Sequence, residues 1–226
     1  MTEITPGFDF AVSIDCVLFG FDGSELKILL IERNEEPFKD WWALPGNLVN
    51  KEESVDQSAQ RILKELTGLS DIYMEQYYAF GELNRHPQGR VISVAYYAML
   101  RLGGDKPLKP LSSYAKKAQW INVADLPKLA FDHQHILNKG LEKIKRRIKH
   151  LPLAFELLPE KFTLTQVQSV YELILGKKLD KRNFRKKILS FKVLKELEEK
   201  QRGVSFRAAT LYKFDKRKFH KQVGLD

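Results

Sequence analysis

Two groups of residues have types and spacing that could do chemistry. The first lies in Pro45–Leu69, PGNLVNKEESVDQSAQRILKELTGL. Glu53 precedes a helical pattern and Arg61 lies two turns into it, so a carboxylate–guanidinium pair can pin the loop to the helix. The second group is KKLDKRNFRKK, with seven Lys/Arg between Lys177 and Lys187 and only Asp180 to offset them. At helical spacing Phe184, Ile188 and Leu189 face a core, which leaves Lys181, Arg182, Asn183, Arg185 and Lys186 outward. Such a face fits the DNA major groove, where Arg bonds guanine, Asn bonds adenine and Lys holds phosphates. The plainer alternative is a solvated basic face, against which the concentration of cations argues.

The elements that must position these residues are legible in order. Ser54 is a plausible N-cap, Gly68 a C′ stop, and Val55, Ala59, Leu63 and Leu66 form one apolar stripe between them. Upstream, Phe10–Phe21 and Leu26–Glu32 read as strands joined at Asp22-Gly23, followed by a polar loop over Asn34–Asp40. Downstream, Ile72–Leu83 and Arg90–Leu102 read as strands around the turn cluster Asn84–Gly89, with a loop over Gly103–Ser113 and a short strand over Gln119–Val123. A helix opens at Phe131-Asp132-His133, where Asp132 is a candidate cap, and buries Ile136, Leu137, Leu141, Ile144 and Ile148. After Pro152 and Pro159 comes a helix over Thr163–Leu175 that ends at Gly176. The basic helix Lys181–Phe191 follows, and then strands Val193–Lys200 and Ala208–Phe214 about a turn at Gln201-Arg202-Gly203. Helix, turn, helix and hairpin make a winged helix-turn-helix. Arg202 at the wing turn and Arg207 before its second strand are further candidates for DNA contact.

Composition divides the chain similarly. The net charge of +9 arises from 14 Lys/Arg against 19 Asp/Glu in residues 1–138, a net of −5, and 24 against 10 in residues 139–226, a net of +14. This predicts two domains, 1–150 and 151–226, of which the basic one has a polyanionic partner. RNA is the alternative polyanion. No apolar run approaches a membrane span and the N-terminus has no signal pattern, so a cytoplasmic protein with no membrane partner is expected. The single cysteine, Cys16, sits in an apolar strand pattern and is expected in the core.

The first stretch resembles the Nudix box, G-x5-E-x7-R-E-U-x-E-E-x-G-U, with U apolar. Aligned on Arg61 and Gly68, the leading glycine falls on Asn47, the first glutamate on Glu53, and the R-E-U-x-E-E run on Arg61-Ile62-Leu63-Lys64-Glu65-Leu66. In Nudix enzymes those helix carboxylates hold divalent metal against a diphosphate. Hard cations need several oxygen ligands, and Ile62 and Leu66 supply none. The resemblance therefore implies an α/β Nudix-like α/β/α sandwich without catalytic residues, metal or cofactor. A working hydrolase would need replacement carboxylates, for which Glu52, Asp56 and Glu65 are the nearby options.

With WWALPGNLV, LAFDHQHIL, FTLTQVQSVYELILGKKLDKRNFRKK and RAATLYKF, the chain is similar to NrtR-type Nudix-related regulators, in which a Nudix-like sensor precedes a winged helix. That resemblance implies a homodimeric repressor of double-stranded operator DNA, released by a small effector. The effector in that group is either a pentose such as arabinose or ADP-ribose, and the lost carboxylates incline the sequence reading toward the sugar. The candidate effector residues are Arg33, Trp41, Trp42, Glu65, Arg85 and His86.

Overall fold

The computed structural model describes residues 10–70, 72–103, 108–201 and 208–223. The chain divides into two compact units. One comprises Met1–Gly20, Lys27–Ala98 and Gly104–Gly140, and the other Phe21–Leu26, Met99–Gly103 and Leu141–Asp226.

The first unit is built on a seven-stranded sheet. Strands β1 (Ala11–Phe21), β2 (Leu26–Arg33), β3 (Trp42–Ala43), β4 (Gly46–Leu48), β5 (Glu75–Phe80), β6 (Val91–Arg101) and β7 (Ala115–Asn122) run in the order β3-β2-β1-β6-β5, with β4 on β1 and β7 on β2. β1 is interior and nearly continuously buried, which explains its unbroken apolar run. β7 starts at Ala115, earlier than the sequence suggests, because its first half, AKKAQ, alternates too weakly to read as a strand. Strands β3 and β4 are too short to leave a periodic signal.

Helix α1 (Val55–Thr67) begins with a capping box between Ser54 and Gln57 and ends at Gly68, whose φ of 78° suits glycine. Its buried face is wider than the predicted stripe, because Ile62 joins Ala59, Leu63 and Leu66 while Val55 is half-buried. Helix α2 (His133–Arg147) packs closely at Gly140. A Cβ there would lie 3.3 Å from the Tyr77 hydroxyl and 3.4 Å from Val17, and that hydroxyl donates to the Ile136 carbonyl at 2.8 Å.

The second unit contains a 3-10 turn (Leu153–Leu157), α3 (Leu164–Leu175), α4 (Lys181–Ser190), the antiparallel hairpin β8 (Leu194–Lys200) and β9 (Thr210–Phe214), and α5 (Lys216–Val223). Val167, Val170, Ile174, Phe184, Ile188 and Val193 are buried. Phe155 stacks on Phe162 and Phe214, with centroids 5.4 and 4.9 Å apart. α5 went unread in the sequence because its eight residues, KRKFHKQV, carry too few apolar positions to form a stripe. Among the described residues, no helix is long and apolar enough to cross a membrane. Together the elements form a mixed α/β sandwich followed by a winged helix.

Gly46 is fixed by a close approach. It pairs with Asp15 across β4 and β1, and a Cβ on it would lie 2.1 Å from the Asp15 Oδ1 and 2.8 Å from the Ile14 carbonyl. Gly46→Ala must displace a buried carboxylate, so urea denaturation should show a loss of about 1–3 kcal/mol, typical of overpacking. An unchanged midpoint would mean that β1 and β4 do not meet this closely.

Candidate functional site

The first unit contains a cleft of about 670 Å³, within the range of small-molecule sites. Its walls come from the starts of β1 and β6, the loop after β2, β4, the turn holding Arg85 and His86, and the segment entering α2. At its base lies a buried polar cluster. The Arg85 side chain is 4% exposed, and its Nε and Nη2 donate to the two Asp132 oxygens at 2.9 and 2.7 Å. Nη2 also lies 3.5 Å from the Asp15 Oδ2, which accepts the Ser93 hydroxyl at 2.5 Å. His133 completes the set, with Nε2 3.3 Å from the Asp15 Oδ1.

The His133 Nδ1 accepts the Leu44 N–H at 2.9 Å, so that nitrogen is unprotonated and the ring is the neutral Nε2–H tautomer. Burial lowers its pKa, outweighing the opposite pull of Asp15 and Asp132. One guanidinium thus serves two carboxylates beside a neutral imidazole. Asp132, read from sequence as a helix cap, directs both carboxylate oxygens to Arg85, while its backbone carbonyl receives the Ile136 N–H at 3.1 Å.

Above the cluster, Phe131 holds a left-handed φ of 51°, uncommon for a bulky residue. His86 stacks on its ring at 5.0 Å and the Arg33 guanidinium lies 4.9 Å from the ring centroid. Arg33 sits where the β2–β7 register shifts, and it donates to the carbonyls of Pro37 and Glu35 at 2.9 and 3.2 Å. A bulge of this kind re-aims a side chain.

Of the candidate effector residues, the structure brings Arg33, Arg85 and His86 to one cleft and places Trp42 and Glu65 outside its lining. Trp42 is zipped into β3, with the Lys117 Nζ 5.0 Å from its ring. Trp41 packs against Phe38 and Lys128, also away from the lining. Glu65 is occupied on α1, where its carboxylate pairs with Arg61 at 3.1 Å. Sequence reading missed Asp15, Ser93, Phe131 and His133. Only Asp15 left a signal, as a carboxylate inside an otherwise apolar strand.

The Glu53–Arg61 pair forms as read. Arg61 Nε reaches both Glu53 oxygens at 2.7 and 2.9 Å, and its Nη2 reaches the Leu48 carbonyl at 3.1 Å. Arg61, followed by the Ser58 hydroxyl, lowers the Glu53 pKa to about 2. The two box positions without carboxylates are buried, with Ile62 and Leu66 0% and 1% exposed. Among the described residues no group of three His, Cys, Asp or Glu side chains could hold a metal ion. Of the three helix carboxylates in the box pattern this chain has Glu65, which is paired with Arg61.

In the second unit, Thr163 caps α3 in a second capping box and Gly176 ends it with φ 68°. Glu172 then fastens the turn, accepting the Leu179 N–H and the Gln168 amide at 2.9 Å and pairing with Lys178 at 3.0 Å. The Asp180 side chain caps α4 through the Asn183 N–H at 2.8 Å. Lys181, Arg182, Asn183 and Lys186 are exposed, as read. Arg185 is half-buried, with an Nε that has no partner. Leu189 corrects the sequence reading. It is 45% exposed rather than in the core, because Phe184 and Ile188 already fill the narrow face α4 presents inward. Arg202 and Arg207 lie outside the described residues.

The comparisons follow the same division. The profile described as the NUDIX domain matches residues 9–140, and that of the NrtR DNA-binding winged helix domain matches residues 154–214. The ADPR responsive transcriptional repressor NtrR of Acinetobacter baylyi is 33% identical over 209 residues, covering 90% of this chain and 81% of the relative. An ADP-ribose pyrophosphatase of Methanocaldococcus jannaschii is 38% identical over 127 residues, 56% of this chain and 70% of that protein. The Shewanella oneidensis NrtR crystal structure with a 27mer DNA superposes with TM-score 0.77 at 28% identity, covering 92% of this chain and 94% of that one. The NUDIX domain of the same protein complexed with ADP ribose gives TM-score 0.54 at 30% identity, over 59% and 87%.

Two outcomes follow from the buried cluster. Arg85→Ala strands Asp15 and Asp132 and should cost about 3–5 kcal/mol of stability by denaturant titration; a cost near zero would show the cluster to be solvated. A histidine whose folded pKa lies below its unfolded value of 6.5 favours the unfolded chain once that chain takes up the proton. Stability is therefore intact above pH 6.5 and declines as pH falls toward the folded pKa. His133→Asn, which keeps an acceptor for Leu44, should flatten that decline, and an unaltered slope would assign it to other groups.

Proposed function

The chain belongs to the NrtR-type Nudix regulators with a winged-helix DNA-binding domain, and we propose that it is a transcriptional repressor released from operator DNA by ADP-ribose. The observation that carries this reading is the cleft of about 670 Å³ ringed by Arg33, Arg85, His86 and Phe131. A site of that size takes a drug-sized ligand and is far larger than a pentose needs. Arginine and a stacked aromatic wall suit a diphosphate joined to a flat base. The relatives with a named effector carry ADP-ribose, so ADP-ribose replaces the pentose toward which the sequence inclined.

The domains proposed remain 1–150 for sensing and 151–226 for DNA, with a homodimer on a palindromic site. Arg182, Asn183 and Lys186 on the exposed face of α4 are assigned base and phosphate contacts, joined by Lys181 and Arg185. Ile62 and Leu66 in the core argue against hydrolysis, so ADP-ribose is expected to bind without being cut.

Fluorescence anisotropy on duplex DNA from upstream of the gene tests the reading. ADP-ribose should release the protein, while arabinose and NAD should not; release by arabinose alone would overturn the effector assignment. Arg182→Ala should weaken specific binding by about 1–3 kcal/mol without changing ADP-ribose affinity. Arg33→Ala should do the reverse. Magnesium-dependent AMP formation from ADP-ribose would restore the hydrolase reading.

A further inference from the structure

A second cleft, of about 630 Å³, lies wholly within the second unit at the base of the β8–β9 hairpin. Lys195, Lys213, Lys216 and Arg217 surround it over an apolar floor of Phe155, Leu158 and Phe214. Its two acids are already engaged. Glu160 pairs with Lys213 at 2.5 Å, and the Asp215 Oδ1 accepts the Lys218 N–H at 3.0 Å to cap α5. Among the described residues neither Lys195 nor Arg217 has an ion-pair partner.

The cations also sit where local rules disfavour them. Lys195 and Lys213 are directly opposite in the antiparallel register, an arrangement in which like charges repel. Lys216, Arg217 and Lys218 fill the first turn of α5, at the positive end of the helix dipole, where the Asp215 carboxylate caps the helix. The hairpin and α5 thus bring four cations to one concavity against the two carboxylates of Glu160 and Asp215. Departures from local charge rules concentrate at functional sites, and a bound anion balances the remaining excess of cations.

Operator DNA is a poor candidate for that anion. From Lys195 to Lys200, where the ladder ends opposite Thr210, the strand rises about 16 Å, so the cleft lies at the far end of the hairpin from its turn. A concave site with an aromatic floor matches a compact ligand rather than the convex edge of a duplex. We propose that this cleft is a second ligand site, which takes a small phosphate-bearing molecule with a planar apolar group, such as a mononucleotide. The phosphate lies between Lys195 and Arg217, with Lys213 and its partner Glu160 beside it, and the planar group against Phe214.

Amide NMR on the full chain tests this with AMP as the probe and adenosine as the phosphate-free control. AMP should shift the resonances of Lys195 and Lys213–Arg217 saturably, and adenosine should not. Lys195→Ala and Arg217→Ala, both at exposed side chains, should each weaken those shifts about tenfold, as loss of a charge-assisted hydrogen bond implies. Shifts confined to the Arg33 cleft would overturn the proposal. So would variants that leave AMP binding intact while lowering affinity for random duplex, which would make the cleft a DNA contact.

Discussion

The first unit depends on one buried guanidinium. Arg85 bridges Asp132 at the start of α2 to Asp15 on β1, and Asp15 in turn meets Ser93 on β6 and His133. Removing an ion from water costs several kcal/mol even after relaxation, and only good geometry with further hydrogen bonds recovers it. Here the geometry is bidentate on one side, and nearly every polar atom of the cluster has a named partner. The sheet, the helix start and the turn carrying His86 are thereby locked in one arrangement, and the cleft wall follows from it. Phe131 can hold its left-handed backbone because its neighbours Asp132 and His133 are both tied into this cluster.

Much of this organisation was legible in the sequence because it obeys local rules. The N-cap at Ser54, the helix stops at Gly68 and Gly176, and the apolar periodicity of α1 read directly, while the capping boxes emerged only in the structure. Most of the basic face of α4 read for the same reason, since Phe184 and Ile188 set its orientation, whereas Arg185 is half-buried and Leu189 exposed. What did not read is long-range. Asp15, Ser93 and His133 are separated from one another by tens of residues, and nothing local distinguishes a polar residue facing a buried partner from one facing water. Trp42 and Glu65 were misplaced on the same ground, because their pattern is local while their surroundings are set by β2, β7 and Arg61.

In the Nudix box the pair that fastens the loop to the helix is present, whereas Ile62 and Leu66 stand at two of the pattern's three helix carboxylate positions. The Glu53–Arg61 pair with Ser58 and the Leu48 carbonyl ties the loop to α1, a structural role that needs no metal. The ligand positions at 62 and 66 are filled by hydrocarbon, which extends the buried face of the helix. Burial of two aliphatic side chains stabilises by roughly 1.5–3 kcal/mol each, where carboxylates would need a cation to offset their repulsion.

The two halves also use charge in opposite ways, which separates their responses to ionic strength. In the first unit the decisive charges are desolvated and paired, and buried pairs are little affected by salt. In the second, Lys181, Arg182 and Lys186 are exposed on α4 with Asp180 spent on capping, so their attraction for a polyanion falls steeply as counterions compete. A small ligand in the first cleft and a duplex on α4, as proposed, would therefore be held by forces of different physical origin. The former would depend on geometry around Arg85, and the latter on an electrostatic field that the solvent can tune.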